Sequence, residues 1–124
     1  MFKILIIDAN TPFRKSLKEV LIRRFAAVAI REAASAAEGL AKVDAFGPQL
    51  IFIDIYLPDK NGLDLANKIR MSHPEIIISL FASFDSPEYR AVAAKCGVKH
   101  LIPKDDWTGD DILELVRDVL DKTG

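Results

Sequence analysis

The chain has 124 residues and a formal net charge of −1; half the residues are apolar and 28% are charged. That is one ordinary globular domain with enough apolar content to build a core, and it is not the composition of a disordered tail. No basic surplus points to direct nucleic-acid binding, no polybasic run points to a membrane surface, and the lone Cys96 excludes an internal disulfide.

The apolar run at residues 4–7, ended by Asp8, reads as a strand buried on both faces. It is too short to span a bilayer, and the N-terminus lacks the basic region and cleavage site of a signal peptide, so a cytoplasmic location is expected. Thr11-Pro12 predicts a helix start, with Thr11 as N-cap; Phe13, Leu17, Val20, Leu21 and Phe25 follow at helical spacing. Val28 and Ile30 predict a second, less buried strand. Ser35-Ala36-Ala37-Glu38 is a capping box that opens a helix running to about Phe46, where Gly47-Pro48 stops it. The small-residue run at 33–37 suits close helix–sheet packing.

Residues 50–53 form another buried strand, ended by Asp54, and a loop with Pro58, Asn61 and Gly62 leads into a helix over about 63–71. Residues 76–81 predict a fourth strand, Ser86-Pro87-Glu88 caps a helix that ends at Gly97, and residues 100–102 predict a short fifth strand. Thr108 caps a last helix whose apolar face carries Ile112, Leu115, Val116 and Val119. Strands and helices alternate as (βα) repeated five times. That order predicts an α/β, doubly wound five-stranded parallel sheet with helices on both faces, as a single domain over residues 1–124.

Such folds place their site beyond the carboxyl ends of the strands. There the first strand delivers Asp8, the third Asp54, the fourth Ala82 and Ser83, and the fifth Pro103 and Lys104. Paired carboxylates suit a hard cation such as Mg²⁺, and a lysine supplies fixed positive charge for a phosphoryl group. Each acid alone could simply mark where the chain surfaces; three charged residues ending three separate buried strands are harder to explain that way.

On these residues the chain resembles the receiver domains of two-component response regulators, over essentially its whole length. Asp54-Ile55-Tyr56-Leu57-Pro58-Asp59-Lys60-Asn61-Gly62 matches the family's phosphoacceptor segment: an aspartate, two residues, an apolar residue, proline, three residues and glycine. Lys104 resembles the family's lysine after the fifth strand, and Asp8 the first of its two adjacent acids. The resemblance implies a flavodoxin-like strand order 2-1-3-4-5. It implies Asp54 as phosphoacceptor from a histidine kinase or phosphotransfer protein, and Mg²⁺ held by Asp8, Asp54 and the backbone carbonyl of Tyr56. Lys104 would pair with the phosphoryl group, and a protein-interaction surface on the fourth helix, fifth strand and fifth helix would switch. It implies no enzyme beyond self-catalysed phosphoryl transfer and autodephosphorylation; the last helix is a candidate homodimer face.

Three positions depart from the family pattern. Ala9 replaces the second acid and weakens the expected Mg²⁺ site, with Asn10 the nearest amide oxygen. Ala82 stands where the family has Ser or Thr, leaving Ser83 as a substitute only if the strand slips by one residue. Leu101 replaces a Tyr or Phe, with His100 adjacent. These losses keep a second reading open, a degenerate pseudo-receiver that binds protein without phosphorylation. Enzyme readings fare worse: a dinucleotide enzyme wants a glycine-rich first turn, which residues 8–11 lack, and a nucleophilic-aspartate phosphatase wants an acid at Asn10. Cys96 reads as a structural thiol, Trp107 as a staple on a nearby Leu or Ile, His73 as a loop residue, and the acids at 105–106 and 110–111 as helix-start charges.

Overall fold

A computed structural model of the chain describes residues 1–82, 87–105 and 107–123. In chain order these form β1 (Phe2–Ile7), α1 (Thr11–Arg24), β2 (Val28–Ala33), α2 (Ala36–Phe46), β3 (Leu50–Asp54), α3 (Gly62–Ser72), β4 (Ile77–Ala82), α4 (Pro87–Lys95), β5 (His100–Pro103) and α5 (Gly109–Thr123). The five strands pair in parallel in the order β2-β1-β3-β4-β5. This is the doubly wound α/β sheet that the alternating pattern predicts.

Strand alternation sorts the core into two layers. Leu5, Ile7, Ile51, Ile53, Ile78 and Leu80 face α2, α3 and α4. Ile4, Ile6, Leu50, Phe52, Phe81 and Ile102 face α1 and α5, meeting Leu17, Leu21, Ile112, Val116 and Val119. β1 and β3 are apolar on both sides because both sides are covered, which is why they read as continuous runs rather than alternating ones. Of the small-residue run at 33–37, Ala33 and Ala36 are buried in the layer that holds Ile7, and further along α2 a Cβ on Gly39 would overlap the Ile7 side chain.

The helix ends mostly follow their local chemistry. Ser35 accepts from the Glu38 N–H at 3.2 Å, and Gly47 closes α2 at φ 66°, a left-handed conformation that glycine adopts without strain. Thr108 Oγ1 accepts from the Asp111 N–H while Asp111 reaches back to the Thr108 N–H, a capping box with aspartate in the fourth position. One expectation is corrected. The N-cap of α1 is Asn10, not Thr11: the Asn10 amide oxygen accepts from the Phe13 N–H at 2.9 Å, Thr11 is already helical, and Pro12 sits in the first turn where its missing N–H costs nothing. Ser86 lies outside the described residues.

Candidate functional site

The carboxyl edge of the sheet gathers three charged side chains from three strands. Asp8 follows β1, and its N–H donates to the Ala33 carbonyl of β2 at 2.9 Å. Asp54 ends β3 in register with Phe81 of β4. Lys104 follows β5, and its N–H donates to the Ala82 carbonyl at 2.7 Å. Sheet hydrogen bonds thus fix the three Cα positions before any side-chain contact is made. Asp8 and Asp54 are 1% and 5% exposed, so both carboxylates are taken out of water and need partners. Lys104 Nζ supplies one, 2.8 Å from Asp8 Oδ2 and 3.3 Å from Asp54 Oδ2. The same ammonium stands over the Phe13 ring, 4.5 Å from its centroid.

Burial raises the Asp8 carboxyl above the ordinary value of 3.8; Lys104 and the Asn10 N–H, which donates to Oδ1 at 2.8 Å, pull it back, and the neighbouring Asp54 charge adds to the rise. The site therefore carries more buried negative charge than one lysine offsets. Asp54 Oδ1 is buried with no hydrogen-bond partner among the described residues, whereas Asp8 Oδ2 is engaged by the Lys104 ammonium at 2.8 Å. A buried carboxylate oxygen left open in this way fits a hard divalent cation. Among the described residues, however, no group of three or more His, Cys, Asp or Glu side chains is placed to hold a metal. A cation here would rest on Asp8, Asp54 and a backbone carbonyl such as that of Tyr56.

The loop after Asp54 explains its own sequence. A Cβ on Gly62 would stand against the Asp54 carbonyl oxygen and 2.6 Å from Ile55 Cα, so only glycine lets α3 begin this close to the acid. The Gly62 N–H donates to the Ile55 carbonyl at 2.8 Å, Asn61 caps α3 through the Leu63 N–H, and Tyr56 bridges to Asn61. Asp59 anchors the loop from outside: its two carboxylate oxygens accept from the Ala36 and Ala37 N–H groups at 2.8 and 3.0 Å, on the start of α2. These backbone hydrogen bonds hold the Asp59 carboxyl below its usual range.

Sequence reasoning missed Asp59, because nothing local links it to a helix 22 residues or more upstream. It also missed Arg14, whose guanidinium donates to the Asp8 carbonyl and to Thr11 Oγ1 and pairs with Glu32 at 3.0 Å, tying β1, α1 and β2 together beside the site. Desolvation opposes ionisation of Glu32, but Lys15, Arg14 and Lys18 outweigh it and lower its carboxyl.

The three departures are placed as follows. Ala9 is exposed and offers no ligand, and the Asn10 amide oxygen is occupied as the cap of α1. Ala82 is buried in the layer facing α2, α3 and α4, and Ser83 lies outside the described residues. Leu101 packs against the same layer, as does the half-buried Cys96. His100 Nδ1 bonds Ser79 Oγ at 2.8 Å, and burial lowers its pKa from 6.5. Trp107, just before the Thr108 cap, packs against the layer that holds Ile112, as a staple residue should, and its ring also meets Phe13 edge-on at 5.7 Å and Phe81 at 6.4 Å, because the site end of this layer is built of rings.

Residues 4–117 match the model of the response regulator receiver domain. The chain belongs to that family. It is 29% identical over 119 residues to the DNA-binding transcriptional activator DevR/DosR of Mycobacterium tuberculosis, covering 96% of this chain and 54% of that protein. It is 32% identical over 101 residues to the transcriptional regulatory protein HptR of Staphylococcus aureus, covering 81% of this chain and 38% of that one. The receiver domain thus spans about half or less of the curated relatives it matches. In structure it is similar to a CheY-like response regulator receiver domain from Methanospirillum hungatei, with TM-score 0.89, 30% identity, and coverage of 98% and 95% of the two chains. A two-component response regulator from Clostridium difficile shares the fold at TM-score 0.92 and 24% identity, covering 100% and 99%. No helix among the described residues of this receiver is long and apolar enough to cross a membrane.

Proposed function

We propose that this receiver domain accepts a phosphoryl group on Asp54 from a histidine kinase or phosphotransfer protein, in the cytoplasm, and that the modification switches a protein-binding surface on α4, β5 and α5. The reading rests on one observation: a single ammonium lies within 3.3 Å of two buried carboxylates delivered by separate strands. An oxygen of Asp54 attacks the phosphorus of a phosphohistidine in line. The P–N bond breaks as the P–O bond forms, and the imidazole leaves with the electron pair and takes up a proton. The acyl phosphate that results is held by Lys104, whose ammonium exchanges a carboxylate oxygen for a phosphoryl oxygen.

Asp8, Asp54 and the Tyr56 carbonyl would hold Mg²⁺, which when bound offsets the repulsion between the attacking carboxylate and the phosphoryl oxygens. With Ala9 in place of the second acid, that ion is held more weakly. Lys104 carries a correspondingly larger share of the charge compensation. The chain takes no other substrate and catalyses only its own phosphorylation and dephosphorylation. Its output is a protein partner, or a second copy docked through α5, rather than nucleic acid.

Ala9 and Ala82 favour a second reading, in which the fold is kept as a phosphorylation-independent binding module. Phosphoramidate with Mg²⁺ followed by intact mass separates the two. Gain of one phosphoryl group, absent in Asp54→Ala, supports the signalling domain; an unchanged mass assigns the chain to the pseudo-receivers.

A further inference from the structure

Lysine carries a flexible four-carbon stem, and the Lys104 side chain, 18% exposed, has room to swing into solvent instead of facing the acids. Two carboxylates draw it inward, but there is no third acid, since Ala9 occupies that position. The third face of the ammonium is instead covered by a ring. Phe13 is placed for this by its own helix start: its N–H is tied to the Asn10 amide oxygen at 2.9 Å, which aims the first turn of α1 at the carboxyl edge. The ring is backed edge-on by Phe81 at 5.0 Å and 83° and by Trp107 at 5.7 Å and 75°. These T-shaped contacts restrain the Phe13 ring, whose face lies under the Lys104 ammonium at 4.5 Å from the centroid.

From this geometry we propose that Phe13 is a positioning residue for Lys104, holding its ammonium between Asp8 and Asp54, and that it transmits displacement of that ammonium to Trp107. Trp107 also lines a cavity of about 450 Å³ with Leu101, Ile112 and Leu115, between β5 and α5. The ring contact thus joins the charged site to that cavity. When Lys104 turns to a phosphoryl oxygen, Phe13 loses its cation and its packing against the Trp107 edge changes. The transmission step rests on the phosphoacceptor reading; the placement of the ammonium does not.

The test compares the intact wild-type chain with Phe13→Leu, which keeps apolar volume and removes the ring face, and Phe13→Tyr, which keeps the face. The first readout is the proton shift of the Lys104 ε-methylene, assigned by its disappearance in Lys104→Arg. An upfield ring-current shift is expected in wild type and Phe13→Tyr, and its loss in Phe13→Leu, with unchanged circular dichroism. The second is phosphoryl uptake from phosphoramidate, expected to slow about threefold to thirtyfold in Phe13→Leu, the range for exposed to desolvated cation–π contacts. The third is emission of the single tryptophan, Trp107, on adding Mg²⁺ with beryllofluoride; it changes in wild type and Phe13→Tyr and stays flat in Phe13→Leu. An ordinary ε-methylene shift in wild type, an unslowed Phe13→Leu, or an equal emission response in Phe13→Leu overturns the proposal. If wild type itself gains no phosphoryl group, the phosphoacceptor reading and the transmission step fail, and the methylene shift alone decides whether the ring holds the amine.

Discussion

Replacing Lys104 by Met tests how the two acids are tolerated in the fold. Met keeps length and apolar stem but removes the charge 2.8 Å from Asp8 and 3.3 Å from Asp54. Removing one partner of a buried ion pair typically costs about 3–5 kcal/mol, because the remaining charge is left uncompensated. Here Asp8 can escape by taking a proton. Starting from its ordinary value of 3.8, protonation at pH 7 costs about 4 kcal/mol, and about 1.4 kcal/mol less for each pH unit below that. The expected loss is therefore about 3–4 kcal/mol at pH 7, shrinking steadily toward pH 5. The sign follows from linkage. In the variant the folded-state pKa of Asp8 lies further above its unfolded value, so between those values the folded chain binds more protons, and stability falls as pH rises through the window. Urea unfolding of wild type and variant at several pH values from 5 to 8 measures both quantities. A variant as stable as wild type at pH 7, or a deficit independent of pH, would refute the reasoning.

Other perturbations have equally definite outcomes. Gly62→Ala forces a Cβ onto the backbone of Asp54 and Ile55, and should cost about 1–3 kcal/mol in urea unfolding while depressing phosphoryl uptake; an unchanged midpoint would contradict the close approach. Ala9→Asp supplies the missing acid and should tighten Mg²⁺ binding about tenfold by calorimetry, whereas an equal Kd would show that the exposed position does not reach the ion. His100 has its folded pKa lowered from 6.5 chiefly by burial, so the unfolded chain binds more protons just below that value and stability drops as pH falls through it. His100→Gln should flatten that part of the stability profile relative to wild type, and a parallel profile would count against the assignment.

The sheet was legible because its strongest signals are physical necessities. The runs at 4–7 and 50–53 are apolar throughout since helices cover both faces, and each is followed by an acid, buried at the carboxyl edge of the sheet. Gly62 was legible as part of a motif, but its cause, backbone crowding against Asp54, needs the coordinates. Turn detail was less legible. Asparagine and threonine are both favoured at N-caps, and only the bond from the Phe13 N–H shows that Asn10, not Thr11, takes that place in α1. The partners that Asp59, Phe13 and Trp107 find, and the Glu32 carboxylate that Arg14 pairs with, come from distant segments, and no local periodicity encodes such contacts.

The most direct measurement locates the modified atom. After phosphoramidate and Mg²⁺ treatment, borohydride reduces an aspartyl phosphate to homoserine, which peptide mass spectrometry places by residue. Homoserine at position 54, and at neither Asp8 nor Asp59, is the predicted result. Its absence from position 54, or its appearance at another aspartate instead, would contradict Asp54 as the acceptor.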